Sequence, residues 1–312
     1  MTMKAVYLEA KSGPESLILG ELPKPSPGPG EAVVRVHATA VMPTEFQWFP
    51  TFNQPSGEPR PFPIVLSHEF SGVIESLGPN VQSVREGASV YGLNNWFVNG
   101  AQAEFCVAAV SALAPKPNSI DHVHAAVVPI SALTAWQGLF DKGGLQKGQR
   151  VLVHGGAGAV GTFAVQMAHH CQAHVIATAS SRNLEFVGTL GADEVLDYRT
   201  TRFENVVRDV DLVFDGVGGK TLEQSWAVLA RGGRVVTYAT GGSEHPDKRV
   251  RDAFFLVEPS GIQLAEIAGR IDAGELRVVV SASFPLAKAA DAYRFSQEGG
   301  KRGKVALHVL SA

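Results

Sequence analysis

Cysteine is scarce, with Cys106 and Cys171 the only two in 312 residues. Two thiols build neither a disulfide framework nor a four-thiolate zinc site, and a reduced, cytoplasmic setting is expected. Charge of one sign is lacking too. Lys and Arg number 27 against 30 Asp and Glu, a net charge of −3. No broad basic field therefore invites nucleic acid or an anionic membrane. The start, MTMKAVYLEA, has no basic segment followed by an apolar one, so no signal peptide is expected there. Uninterrupted apolar runs of membrane length are missing. The longest apolar stretch, residues 123–140, is broken by His124, Pro129, Ser131, Thr134 and Gln137. It predicts a buried helix at a domain junction. Internal repeats and low-complexity tracts are absent.

What is present is a chain long enough for two domains, with the balance of apolar and charged residues of a globular protein. The first third reads as short strands. AVYLEA, SLILGELP and EAVVRVHATAV alternate or run apolar, with PKPSPGPGE as a turn-rich break. IVLSHEFSGVIESLG and ASVYGL continue the pattern. Residues 51–63 are polar and Pro-rich, a surface loop expected near the cleft of this domain. Near Ile120 the rhythm changes. A helix over DHVHAAVVPISALTAWQGLF leads to the strand QRVLVHG and the helix VGTFAVQMAHHCQ. The strands HVIATAS, EVLDY, DLVFDGVG and RVVTYATGG follow with helices between them, one placed over SWAVLARGG. Such alternation predicts a parallel sheet with right-handed crossovers. A strand RDAFFLV, a helix SGIQLAEIAGRIDAG, a strand LRVVVSASF, a helix LAKAADAYRFS and a strand KVALHVL close the chain.

VLVHGGAGAVGTFAV is the most informative segment. Its GxGxxG glycines are Gly156, Gly158 and Gly161, and they sit between an apolar strand and an amphipathic helix. The first permits the tight turn, the second admits a pyrophosphate to the backbone, and the third lets helix pack on strand. Ala157, Ala159 and Val160 complete the loop, whose amides would hold the anion at a helix start. The next strand ends in Ser180, Ser181 and Arg182, with no acid before Glu185. A carboxylate there would favour NAD by holding a ribose 2′-hydroxyl, whereas hydroxyls and an arginine favour the 2′-phosphate of NADPH. A solvated Arg182 at a helix start is the plainer alternative.

On these motifs the chain resembles the medium-chain dehydrogenase/reductase superfamily, in its zinc-independent quinone-oxidoreductase-like branch. HEFSGVIESLGPNV, LTAWQGL, VLVHGGAGAVGTFAVQMA, LGADEVLDY, DLVFDGVGG, LARGGRVV and RGKVALHV carry the likeness nearly end to end. The resemblance implies an α/β protein: a GroES-like, β-rich catalytic domain over 1–124 and 274–312 around a doubly wound Rossmann domain over 125–273. It implies that Tyr198 lies near the adenine ribose phosphate with Ser180 and Arg182. Thr134, Tyr238, Ala239 and Thr240 would line the nicotinamide side. At the positions where zinc-dependent relatives carry their metal ligands, this chain has Met42, His68 and Ile130. A thioether, one imidazole and an alkyl group make no three-ligand zinc site; no metal is expected, and His68 is read as structural.

Without a Lewis acid, a quinone or an α,β-unsaturated carbonyl is the fitting hydride acceptor, because conjugation already makes one atom electrophilic. Catalytic candidates are Thr44 as a donor, Glu45 as a proton relay if its pKa is raised, and Thr134. Trp48 and Tyr91 are candidates for an aromatic wall around the substrate, or for core. His37, His122, His124, His169, His170 and His174 stand in no motif. Two other functions stay open: an NADPH-binding sensor with little turnover, and an enoyl-thioester reductase, against which counts the lack of a clear basic cluster for a phosphorylated tail. Partners expected are a small-molecule substrate and a second copy of the chain, with RDAFFLV as interface edge or Phe254 and Phe255 as core.

Overall fold

The computed structural model describes residues 1–239 and 241–309. Its first part is built from β1 (Thr2–Leu8), β2 (Ile18–Pro23), β3 (Glu31–Val41), the one-turn helix α1 (Phe49–Phe52), β4 (Ile64–Val65) and β5 (Glu69–Leu77). Strands β6 (Ser89–Leu93), β7 (Phe105–Ala109) and β8 (Leu113–Pro115) complete it. Most of β3 and the first half of β5 are buried on both faces, and the two pair antiparallel as the spine of this part. A short helix α2 (His122–Ala126) packs on β3 and β5. Asp121 caps it by accepting from the His124 amide.

The stretch predicted as one helix is two helices. Pro129 has no amide hydrogen to continue α2, so the chain restarts at α3 (Pro129–Trp136), which ends in a wider π turn over Gln137–Lys142. Then come β9 (Arg150–Val153), α4 (Ala159–His170), β10 (His174–Ala179), α5 (Leu184–Gly188), β11 (Glu194–Asp197) and α6 (Phe203–Val206). After them run β12 (Val210–Asp215), α7 (Gly219–Ser225), β13 (Leu229–Thr237), α8 (Lys248–Ala253) and α9 (Gly261–Asp272). The five strands form one parallel sheet in the order β11-β10-β9-β12-β13. The order reverses direction at β9, and the crevice beyond the carboxyl ends of β9 and β12 is the switch point where such sheets bind ligands.

Two elements differ from expectation. The helix expected over SWAVLARGG stops at Val228, because Leu229–Thr237 already pairs as strand β13 beside β12. In RDAFFLV the first three residues are the end of α8, which Asp247 caps through the Arg249 amide and Lys248–Asp252 braces. Only Phe254 bridges Thr237, in place of a sixth strand, while Phe255 is buried in the core.

The chain then returns to the first part with β14 (Val280–Pro285), α10 (Ala289–Gln297) and β15 (Lys304–His308). β15 pairs antiparallel with β3 and β14 parallel with β15, which extends the larger sheet to the order β14-β15-β3-β5-β6-β8 with β7 also paired to β3. A smaller sheet, β2-β1-β4, covers it. The main hydrophobic cluster runs from Tyr91, Leu93 and Trp96 into α3, α4, α9 and the parallel sheet, so one core spans both parts. Among the described residues no helix is long and apolar enough to cross a membrane.

Candidate functional site

Strand β9 hands over to α4 through residues 154–158. Gly158 is the N-cap of α4, and no side chain caps the helix. The first-turn amides of Ala159, Val160 and Gly161 therefore face outward as a seat for an anion. The loop is tied to β10: the Gly156 amide donates to Thr178 O at 2.9 Å and the Gly155 amide to Thr178 Oγ1 at 3.1 Å. A Cβ at Gly161 would fall 2.1 Å from Gly155 O, so only glycine lets α4 start this close beneath the loop. An open backbone cradle under an uncapped helix start fits a dinucleotide pyrophosphate.

At the end of β10, Ser180 is buried and Ser181 exposed, the latter donating to Asp197 Oδ2 at 2.5 Å. That acid comes from the neighbouring strand β11, where motif reading at β10 could not find it. Arg182 does not hang free at a helix start. Its Nη2 donates to Gly299 O at 2.6 Å, reaching the turn before β15. Tyr198 stands 55% exposed beside this corner. On the other side, Tyr238 packs against Phe214 at 5.2 Å, and the Ala239 amide donates to Thr237 Oγ1 at 3.2 Å. Thr134 is buried and its hydroxyl donates to Ile130 O at 2.6 Å within α3. Thr240 lies outside the described residues.

The segment after β3 brings Thr44, Glu45 and Trp48 together. Thr44 Oγ1 accepts from the Trp48 indole at 3.1 Å, and among the described residues its own hydrogen goes to no acceptor. Trp48 meets Trp96 edge-on at 5.5 Å, and Trp96 meets His68 at 5.3 Å. Glu45 is fully enclosed. It accepts from the Ser67 amide at 2.7 Å and from Tyr293 Oη at 3.0 Å, and Gln102 donates to that same phenol at 2.9 Å. Burial raises the Glu45 pKa to about 7 despite these donors. Its Oε1 lies 3.7 Å from His68 Nε2, and burial, with the charge of Arg60 behind it, lowers the His68 pKa to about 3. Tyr91 corrects the aromatic-wall expectation: it is 0% exposed and donates to Leu264 O at 2.6 Å, a core residue joining β6 to α9. Trp96, which sequence reading passed over, is buried in the same core and donates to Val257 O across the junction of the two parts.

Residues 28–118 match the alcohol dehydrogenase GroES-like domain family, and residues 190–307 the zinc-binding dehydrogenase family. The chain is 31% identical to zebrafish (Danio rerio) NAD(P)H oxidoreductase RTN4IP1, mitochondrial, over 90% of this chain and 84% of that one. It is also 31% identical to the 2-methylene-furan-3-one reductase of tomato (Solanum lycopersicum), over 90% and 72%. The quinone oxidoreductase from Coxiella burnetii superposes with a TM-score of 0.91 at 28% identity, over 99% of this chain and 100% of that one. A mycobacterial protein, Rv1454c, solved in complex with NADPH, superposes at 0.82 with 29% identity, over 98% and 100%. The chain belongs to the medium-chain dehydrogenase/reductase superfamily, in its quinone oxidoreductase-like branch. It is an NAD(P)H-dependent oxidoreductase.

In this dehydrogenase/reductase the three positions of zinc-ligand interest do not converge as donors. Ile130 offers only an alkyl group, while its amide donates to Glu69 Oε2 at 2.9 Å. Glu69 also pairs with Lys304 of β15, whose Nζ lies 3.3 Å from Ser131 Oγ. Burial pushes the Glu69 pKa up and the Lys304 pKa down, each held back by the other. Among the described residues no three His, Cys, Asp or Glu side chains are placed to hold a metal ion.

Proposed function

We propose that this protein is a zinc-independent reductase that transfers a hydride from NADPH to a quinone or an α,β-unsaturated carbonyl in a reducing, cytoplasmic setting. The observation that carries the reading is the donor set Met42, His68 and Ile130. One imidazole facing Glu45, flanked by a thioether and an alkyl chain, cannot supply a catalytic zinc site. An alkoxide would lack support here, so a conjugated acceptor fits better than a simple alcohol. NADPH, when bound, supplies the hydride.

The residues of the chain bind, orient and stabilise. The loop Gly156, Ala157, Gly158 and the first turn Ala159, Val160, Gly161 hold the pyrophosphate. Ser180, Ser181, Arg182 and Tyr198 hold the phosphorylated ribose, and Thr134, Tyr238 and Ala239 bound the nicotinamide side. Thr44 has a free O–H to donate to the acceptor oxygen as it gains charge. Trp48, set against Trp96, walls a flat substrate. Glu45 is too enclosed to touch substrate and acts as a positioning residue. It pins the left-handed backbone of Ser67 (φ 65°) and so the adjoining His68. A homodimer across the β13 edge accords with Leu256, 55% exposed two residues past the Phe254–Thr237 bridge.

The test is NADPH oxidation by purified protein with panels of quinones, enones and enals, alongside elemental analysis. Turnover of at least one class by zinc-free protein supports the reading. Oxidation of secondary alcohols with none of those acceptors reduced, or stoichiometric tightly bound zinc, overturns it.

A further inference from the structure

The turn over residues 299–303 has two faces. One touches the glycine loop, where the Gly303 amide donates to Ala157 O at 3.0 Å. The other borders a cleft of about 690 Å³ lined by Arg182, Asn183, Phe186, Arg277, Gly300 and Arg302. No residue of the glycine loop lines this cleft.

Three arginines from three separate segments meet there. Arg182 follows β10, Arg277 precedes β14 and Arg302 precedes β15. Among the described residues, arginine ion pairs form at Arg35, Arg150, Arg202, Arg249, Arg270 and Arg294 and at none of these three. Their positions are nonetheless set. Arg302 donates to Asn183 Oδ1 at 2.9 Å and to Arg182 O at 3.0 Å. The guanidinium groups of Arg277 and Arg302 lie 5.4 and 4.6 Å from the Phe186 ring centre. Gly300, at φ 78°, lets Arg182 lie across the turn: a Cβ would stand 1.6 Å from its Nη2. Lys301 adds a fourth cation nearby, its pKa lowered by burial and, against the pull of Glu298, by the like charge of Arg182.

A chain of net charge −3 does not gather such a cluster through general basicity. Planar guanidinium forks without carboxylate partners match phosphate oxygens. We propose that this cleft binds a phosphomonoester, gripped by Arg277 and Arg302 with Arg182 completing the donors. Two sources share that chemistry: the 2′-phosphate of NADPH, and the phosphorylated tail of a second ligand such as a thioester substrate. Through its first source the site rests on the cofactor reading above, where Arg182 already serves the phosphorylated ribose and Arg277 and Arg302 would be its added partners; it does not depend on the acceptor class.

The experiment is calorimetric titration of the full-length protein with inorganic phosphate against a chloride background of matched ionic strength. Wild type, Arg277→Ala and Arg302→Ala are compared, each with and without saturating NADPH. The Arg277 side chain makes no hydrogen bond among the described residues and is exposed, so R277A keeps the fold even if R302A does not. Phosphate affinity is expected to fall about tenfold or more in each variant, with NADH affinity unchanged. Competition by NADPH identifies the dinucleotide as the source, and undiminished phosphate binding identifies a second ligand. No phosphate binding by folded wild type, or equal affinity in wild type and R277A, overturns the proposal. Loss of NADH binding would instead count against the dinucleotide site, so the two failures are distinguishable.

Discussion

Glu45 holds a proton far longer in the folded protein than in the unfolded chain. Its pKa is raised from 4.5 to about 7, chiefly by burial. Below pH 4.5 both states keep the proton and the folded state bears no penalty. As pH rises through about 7 the folded state must ionise a sealed carboxyl, and stability falls. Glu45→Gln keeps an acceptor for the Ser67 amide and Tyr293 and removes that ionisation. Urea unfolding at pH 5 and pH 8 is expected to show the variant gaining about 2 kcal/mol on wild type between the two. His68 works in the opposite direction. Its pKa is lowered to about 3, so its contribution is present above pH 6.5 and is lost as pH falls toward 3. Thr44 is the residue to test for chemistry, because among the described residues its hydroxyl hydrogen meets no acceptor. Thr44→Val is expected to lower kcat with the best quinone or enone by about 10²-fold and leave the NADPH Kd unchanged; equal kcat would remove Thr44 from the mechanism. Residue identity could nominate Thr44 and Glu45 but not rank them. What separates them is enclosure and hydrogen-bond commitment, and neither is visible in a string of letters.

The strand–loop–helix unit β9-α4-β10 is the element most readable in advance. Its signals are local: an apolar strand, glycines at fixed spacing and an amphipathic helix within one crossover. Gly161→Ala forces a methyl group to 2.1 Å from Gly155 O. It is expected to weaken NADPH binding about tenfold or more and to cost about 1–3 kcal/mol of stability, read by nicotinamide fluorescence and thermal melting. Elsewhere local signals misled. RDAFFLV looks like a strand because of its aromatic and branched residues, yet Asp247 and the Lys248–Asp252 pair make its beginning a helix end. SWAVLARGG looks helical throughout, but β12 recruits Leu229 onward into the sheet. At both places a neighbouring element or cap outweighs intrinsic preference.

The two parts are locked by buried polar contacts as well as by a shared core. Lys304 of the last strand pairs with Glu69 of β5, which also accepts from the Ile130 amide at the start of α3. Lys304→Met leaves Glu69 enclosed and unpaired and is expected to cost about 3–5 kcal/mol in chemical denaturation. Adding Glu69→Gln, which retains the acceptor for Ile130, is expected to restore most of it. If the double variant is no more stable than K304M, the pair is not what holds the junction. In sequence alone, period and spacing determined the alternating strands and helices, the glycine loop and the change of rhythm near Ile120, because these features are written within short stretches. Tertiary structure alone decided which distant groups meet. Tyr293 reaches Glu45 across 248 positions, Tyr91 and Trp96 reach the backbone carbonyls of Leu264 and Val257 across the core, and Arg182, Arg277 and Arg302 share one cleft. Those outcomes depend on how whole sheets and helices stack, since burial and partner distance are properties of the packed molecule, and they set the pKa values and free donors on which chemistry depends.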